Sequence, residues 1–241
     1  MIEIPAAAVS EFFTPERPGP LVHAQIMASG VGACRADRWP APQTVVAELP
    51  GGNIAVRGVP HVLPLVGLVE APAGWLPALR EIDPGTGEWP RIVAGLAGQP
   101  RMAAGPDVRP LQADDAAALA GLDASIDWIS ETWGGPAELA ASGRAWAAFD
   151  DGVPVSIACS FYVGHRHEDI GVVTAATHRG RGLARACAQA LALDIRDRGR
   201  LPTWTTSPDN TASRAVAQSL GFVPVREDVL YAVNTPVPTL V

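Results

Sequence analysis

From Gly171 to Ala184 the chain reads Gly-Val-Val-Thr-Ala-Ala-Thr-His-Arg-Gly-Arg-Gly-Leu-Ala. A strand passes through a tight Arg/Gly turn into the first turn of a helix, so the fold must set helix against sheet. A helix N-terminus presents unpaired N–H groups and the positive end of a macrodipole, which together attract anions. Gly180 and Gly182 allow the backbone to approach a pyrophosphate closely. Arg179 and Arg181 add charge and forked donors for phosphate oxygens. The blander alternative is an Arg/Gly turn that merely enters a helix.

The spacing excludes the common nucleotide motifs. A P-loop requires G-x-x-x-x-G-K-[ST], and the chain contains no lysine. A Rossmann turn requires G-x-G-x-x-G, of which only Gly180 and Gly182 are present. What is present is R-x-x-G-x-A, carried by Arg179, Gly182 and Ala184. A second segment, Ser207-Pro208-Asp209-Asn210-Thr211-Ala212-Ser213, follows a strand-like run and leads through a helical run to Gly221-Phe222. These two segments, one helix and one strand apart, resemble the GNAT acyltransferase superfamily over roughly Val108–Val233. The matching positions are the pyrophosphate motif at 179–184, then Asn210, Ser213, Gly221 and Phe222. The resemblance implies an α+β fold, a mixed, mostly antiparallel sheet flanked by helices, and acetyl-CoA as co-substrate.

Composition sets outer limits. The chain has 241 residues, 48% hydrophobic and 18% charged, enough for one large domain or two modest ones. A net charge of −7 argues against nucleic acid as a main partner. No apolar run is long enough to span a bilayer and no secretory leader is visible, so neither a membrane nor secretion is expected. Cys34, Cys159 and Cys187 are odd in number and lack metal-ligand spacing, which fits a reduced cytoplasmic protein without a metal.

The chain divides into an accessory lobe at 1–105 and a GNAT domain at 106–241, with a linker at Gly98–Pro110. In the first lobe, Thr44–Leu49 and Ile54–Val59 flank Pro50-Gly51-Gly52-Asn53 as a hairpin, and Val62–Val69 is a further apolar run. Ala73–Ile82 and Glu88–Leu96 read as short helices. This order loosely echoes half of a GNAT fold, so the lobe reads as a smaller α/β unit and a degenerate half. In the second, Arg144–Phe149, Val153–Val163 and His167–Thr174 are strands, and Arg181–Arg198 is a helix with Leu183, Cys187, Leu191 and Ile195 on one stripe. Pro202–Thr206, a helix after Asn210, and strands at Phe222–Val225 and Val229–Val233 complete the sheet.

Acetyl transfer to an amine requires a held cofactor, a polarised carbonyl, a deprotonated amine and a departing thiolate. The motif Arg179–Ala184, which includes Leu183, supplies the hold. The resemblance places carbonyl polarisation on the backbone of Val172, Val173 and Thr174. Asn210 either caps its helix or contacts the cofactor amide. Family spacing to Arg179 points to Glu168 as the general base; its blander role is a solvated charge paired with Arg166. His165, His167 and Asp169 are the alternatives, and His178 belongs to the turn beside the phosphates. Family members often place a tyrosine general acid where this chain has Ala217. Only Tyr162 and Tyr231 exist, and Tyr231 or Ser213 would be the substitutes. A thiol near pKa 8.5 leaves tolerably without a proton.

Trp128, Glu131 and Trp133 form the candidate acceptor wall, through cation–π and charge, or else they are core aromatics beside a loop. Cys159 and Cys187 fall on core faces and suggest packing rather than covalent catalysis. The expected function is acetyl transfer to a small-molecule amine by direct attack in a ternary complex. The accessory lobe would shape the acceptor cleft or an oligomer interface, as in a homodimer. The rivals are a non-catalytic acyl-CoA sensor, favoured by Ala217, and transfer of longer acyl groups or to protein amines.

Overall fold

Strand-forming runs alternate with short helices along the whole chain. In the computed structural model, which describes residues 1–96 and 98–239, the strands are β1 (Ile2–Ile4), β2 (Ala33–Ala36), β3 (Thr44–Leu49), β4 (Asn53–Gly58), β5 (Gly67–Glu70), β6 (Gly87–Gly95), β7 (Arg109–Pro110), β8 (Ala145–Asp150), β9 (Val153–Val163), β10 (His167–Thr174), β11 (Leu201–Thr206) and β12 (Val223–Val233). The helices are α1 (Val22–Ser29), α2 (Leu76–Ile82), α3 (Ala116–Ala120), α4 (Pro136–Ala141), α5 (Leu183–Asp197) and α6 (Thr211–Leu220). All strands join one 12-stranded sheet in the order β1-β2-β3-β4-β5-β12-β6-β11-β10-β9-β8-β7. This is the α+β architecture anticipated above.

Each half of the sheet repeats one pattern. Antiparallel strands lead into a parallel pair, β4 with β5 in the first half and β10 with β11 in the second. In the second half the pair is joined by the 15-residue α5, whose apolar stripe packs on one face of the sheet. Cys187, Leu191 and Ile195 are fully buried there against Ala158, Ile170 and Trp204. Burying each such aliphatic side chain contributes about 1.5–3 kcal/mol. In the first half residues 59–66 make the same connection without a helix, and Leu63 and Leu65 fill the core against Ile54 and Val69. The opposite face of the second half is covered by the 3-10 turn Asp127–Trp133 and α4, with Ile129 and Leu139 against Ile157 and Val173.

The halves meet by exchanging strands. β12 pairs with β5 at Leu230↔Glu70, and β6 lies between β12 and β11. Strand pairing therefore runs through the boundary drawn at residues 105 and 106. The segment Glu88–Leu96, expected as a helix, is the strand β6. Its β-branched Ile92 and Val93 suit a sheet, Pro90 would break a helix, and two neighbouring strands supply the hydrogen bonds. The two strands expected at 222–225 and 229–233 are one strand with a register shift between Pro224 and Arg226. Of Val62–Val69, the structure extends only the end into β5. Among the described residues no helix is long and apolar enough to cross a membrane.

Candidate active site

β10 and β11 are paired only at one end. Their register runs from His167↔Leu201 to Asp169↔Thr203 and stops there, while β11 continues along β6 on its other side. Beyond Asp169 the two strands form a notch that opens toward the Arg179–Ala184 turn. Ala175 N donates to Val155 O at 2.8 Å, which fixes the alternation along the β9–β10 pair. By that alternation Ile170, Val172 and Thr174 direct their backbone groups away from β9 and into the notch, and Val173 directs its own toward β9. Thr174 O accepts from Arg179 Nε at 3.4 Å, so the turn folds back over the notch mouth.

The turn itself is built for close approach. Gly180 and Gly182 both have φ of +77°, and a Cβ at either position would meet nothing within 4 Å. Gly182 is the N-cap of α5 and lacks a side-chain cap, so the first N–H groups of Leu183 and Ala184 face outward. Arg181 reaches Thr177 O at 3.3 Å. His178 lies in the turn between Asp150 Oδ2 (2.8 Å) and Thr177 Oγ1 (2.9 Å). Asn210 caps α6, accepting from Ser213 N at 3.0 Å, and Ser213 Oγ accepts from Trp204 Nε1 at 2.9 Å. The capping reading of Asn210 is thus present, and Ser213 is committed to the same junction.

Glu168 is placed differently from the expectation, and the base assignment is corrected accordingly. Its side chain is fully buried on the α5 face, among Arg144 (2.8 Å), Arg198 (2.8 Å), Arg200 (2.9 Å) and the Ser160 hydroxyl. Burial alone would raise its pKa, but the hydrogen bonds from Arg198 and Ser160 and the charges of Arg198 and Arg144 outweigh it and hold the carboxyl below its ordinary range. A carboxylate so saturated with donors is a poor proton acceptor. The expected pairing with Arg166 is replaced by these three arginines.

Asp169, the next residue, points to the opposite face at the vertex of the notch. Its Oδ1 accepts from Thr203 Oγ1 (2.7 Å) and Thr205 Oγ1 (2.9 Å) across the last paired rung. Burial raises its pKa to about 6, against the hydrogen bonds from Thr203 and Thr205 and the charges of Arg91 and Arg226. His167 is held by Glu16 at 3.0 Å, and Glu16 also accepts the backbone N–H groups of 165–167. That carboxylate is pulled down to about 2, burial being overcome by these donors. His165 and His167 therefore sit at the β9–β10 turn, tied to the N-terminal arm, residues 5–21 between β1 and α1.

The tryptophan loop divides. Trp128 is 39% exposed and stacks edge-on against Phe161 at 5.4 Å, and Phe161 covers Gly171 of β10 on the Asp169 face. Trp133 is buried and donates to Ser160 O at 3.0 Å, a packing role. Glu131 accepts from Asn53 Nδ2 at 2.8 Å, and Asn53 Oδ1 accepts from Tyr162 OH at 2.8 Å. Burial raises Glu131 to about 7, opposed by the Asn53 hydrogen bond and reinforced by the Asp127 charge. Tyr231 packs with Trp75 and Leu79, and Ala217 belongs to the α5 core. Asn53, Tyr162 and Arg91 were not singled out as site residues by sequence reasoning. Period-two alternation in Trp89-x-Arg91-x-Val93 was the available signal for Arg91. Nothing local marks Asn53, whose role depends on contact between the halves.

Comparison with known proteins identifies the family and the fold. A family model described as GNAT acetyltransferase matches residues 99–231, just over half of the chain. A Streptomyces virginiae protein, described as an uncharacterized N-acetyltransferase in the mutA 5' region, is 37% identical over 227 residues, covering 86% of this chain and 94% of that protein. The fold is similar to a GCN5-related N-acetyltransferase-like protein from Streptococcus suis, with a TM-score of 0.73, 18% identity, and 94% and 97% of the two chains covered. It is also similar to a tandem GNAT protein from the clavulanic acid biosynthesis pathway, with a TM-score of 0.55, 16% identity, and 98% and 99% covered. The family match over half the chain and the relative along most of it show that this protein belongs to the GNAT family of acetyltransferases.

Proposed function

We propose that this protein is an acetyl-CoA-dependent N-acetyltransferase that acylates the amine of a small molecule by direct attack in a ternary complex. The observation that carries this reading is the notch between β10 and β11, opening onto an uncapped helix N-terminus through two positive-φ glycines. Arg179, Gly180, Arg181, Gly182, Leu183 and Ala184 would hold the pyrophosphate, with Asn210 and Ser213 at the neighbouring helix start. Acetyl-CoA, when bound, supplies a thioester carbonyl and a thiolate leaving group.

The chain's own groups do the rest. The Val172 and Thr174 backbone N–H groups, which face the notch rather than β9, orient and polarise the carbonyl. The amine nitrogen forms the new C–N bond as the C–S bond breaks. Its proton passes to Asp169, directly or through a water. A carboxyl near pKa 6 is mostly ionised at neutral pH and accepts a proton far better than one held below its usual range. Trp128 offers an aromatic wall on the acceptor side. The two halves, 1–105 and 106–241, act as lobes whose seam bounds the acceptor cleft.

The test is thiol release from acetyl-CoA against a broad panel of amines, with isothermal titration of CoA alongside. CoA binding with turnover on one amine class is the expected result. CoA binding without turnover would point to a sensor or another acyl donor. Absence of CoA binding would remove the basis of the reading.

A further inference from the structure

Strand register places a set of charged side chains beside Asp169. Thr203 and Thr205 on β11 share its face, because both donate to it. Thr205 pairs with Val93 on β6, and Val93 and Arg91 lie two residues apart, so Arg91 is on that face too. Arg226 and Asp228 on β12 pair with Val93 and Arg91 and join the same row. Arg91 Nη2 donates to Thr205 O at 3.2 Å, and its guanidinium stacks on the Trp89 ring at 3.8 Å. Asp169 and Arg91 are thereby bound to one residue, Thr205, at the notch vertex.

The guanidinium groups here are incompletely used. Arg91 Nε and Arg226 Nε and Nη1 are buried with no hydrogen-bond partner. Buried polar groups are normally paired, and an unpaired charged donor is costly. Arg226 has Asp228 as its ion-pair partner through Nη2 only. The N-terminal arm closes over the row: a Cβ on Gly19 would lie 2.8 Å from Arg226 Nη2. A negative group to one side of Asp169 and an amine at Asp169 would satisfy both.

We infer that the acceptor is an amine that also carries a carboxylate, an amino-acid-type molecule whose anionic end is received by Arg91 and Arg226 while its amine faces Asp169. This rests on the acetyl-transfer reading and narrows its substrate class. A planar carboxylate matches the fork of a guanidinium, and stacking on Trp89 holds the Arg91 fork in one orientation. Arg91 and Arg226 are then specificity residues, and Asp169 remains the proton acceptor.

The test compares each of a set of amino acids with the amine left by removing its carboxylate, using acetyl-CoA and thiol release. The expected result is a preference for the carboxylated member of about 100-fold or more in kcat/KM. Arg91→Gln and Arg226→Gln should each collapse that ratio by about 10-fold or more, mainly through KM. CoA titration of both variants verifies that they are folded. Equal rates, or a preference for the decarboxylated amine, would overturn the inference. A second arm titrates N-acetyl amino acids and N-methylacetamide into the protein with CoA present and absent. Binding of the N-acetyl amino acids alone supports the anion site even if no amine turns over. Binding of neither, or of both equally, overturns it. Failure to bind CoA counts against the acetyl-transfer reading, and the second arm still decides the anion site.

Discussion

Glu168 and Asp169 are neighbours on one strand, yet their surroundings push their pKa values apart. Successive side chains of β10 face opposite sides of the sheet, so one carboxyl meets three arginines and the other meets two threonines. Asp169→Asn is expected to lower kcat by about 10²–10⁴-fold with CoA affinity retained. In the unmodified protein kcat/KM should climb as pH rises through about 6, because only the ionised Asp169 accepts a proton. A pH–rate profile checks this, and an unchanged limb in the variant would exclude Asp169 as its origin. Glu168→Gln belongs to stability. Removing the carboxylate leaves Arg144, Arg198 and Arg200 facing one another, at a cost of about 2–4 kcal/mol. Those arginines are 22–27% exposed, so solvent screening favours the lower end of that range. The folded pKa of Glu168 lies below its ordinary 4.5, so its stabilisation is present above that value and fades as pH falls through the folded pKa. Thermal melts of the two proteins at pH 7 should therefore differ, and should converge in acid.

At the scale of elements, what could be read from the sequence depended on how local the determinants are. β9 and β10 were legible to their bounds because Asp150-Asp151-Gly152 turns the chain and alternating apolar residues follow. The glycine turn was legible because positive-φ positions select glycine directly. β6 was misread because Trp89, Ile92, Val93 and Leu96 satisfy a helical spacing as well as a strand, and the deciding hydrogen bonds come from strands more than a hundred residues later. α1 was missed since Val22–Ser29 buries residues on several sides against the arm and sheet and shows no clean stripe. In the turn, Gly182→Val separates fold from function. A left-handed φ costs a β-branched residue about 1–2 kcal/mol, a modest drop in melting temperature. Its side chain would project toward the space a pyrophosphate needs, so CoA affinity should fall about 10-fold or more, as read by titration calorimetry. Unchanged affinity would mean that the turn is not the phosphate site.

The whole molecule is two copies of one pattern joined by reciprocal strands, and of the two crossovers the second is helical and the first is not. In the second half α5 begins at the notch mouth with an uncapped N-terminus. In the first half the link between β4 and β5 has no helix, and its Leu63 and Leu65 are packed into the core on the corresponding face. CoA titration should accordingly give a single site per chain. The strand exchange carries a sharper consequence. β6 pairs with β12 from Gly87↔Ala232 to Gly95↔Val223 and with β11 from Ile92↔Thr206 to Gly95↔Thr203. Without it, both strands would present unpaired edges, and the notch would lose the neighbour that holds β11 in place. Residues 106–241 expressed alone should therefore aggregate or bind no CoA, although they contain the entire Arg179–Ala184 turn. Adding residues 1–105 as a separate chain should restore CoA binding if the two parts find each other, because the missing strand and the Thr205-bound Arg91 return together. Full CoA affinity in the isolated 106–241 fragment would show that β6 is dispensable to the notch.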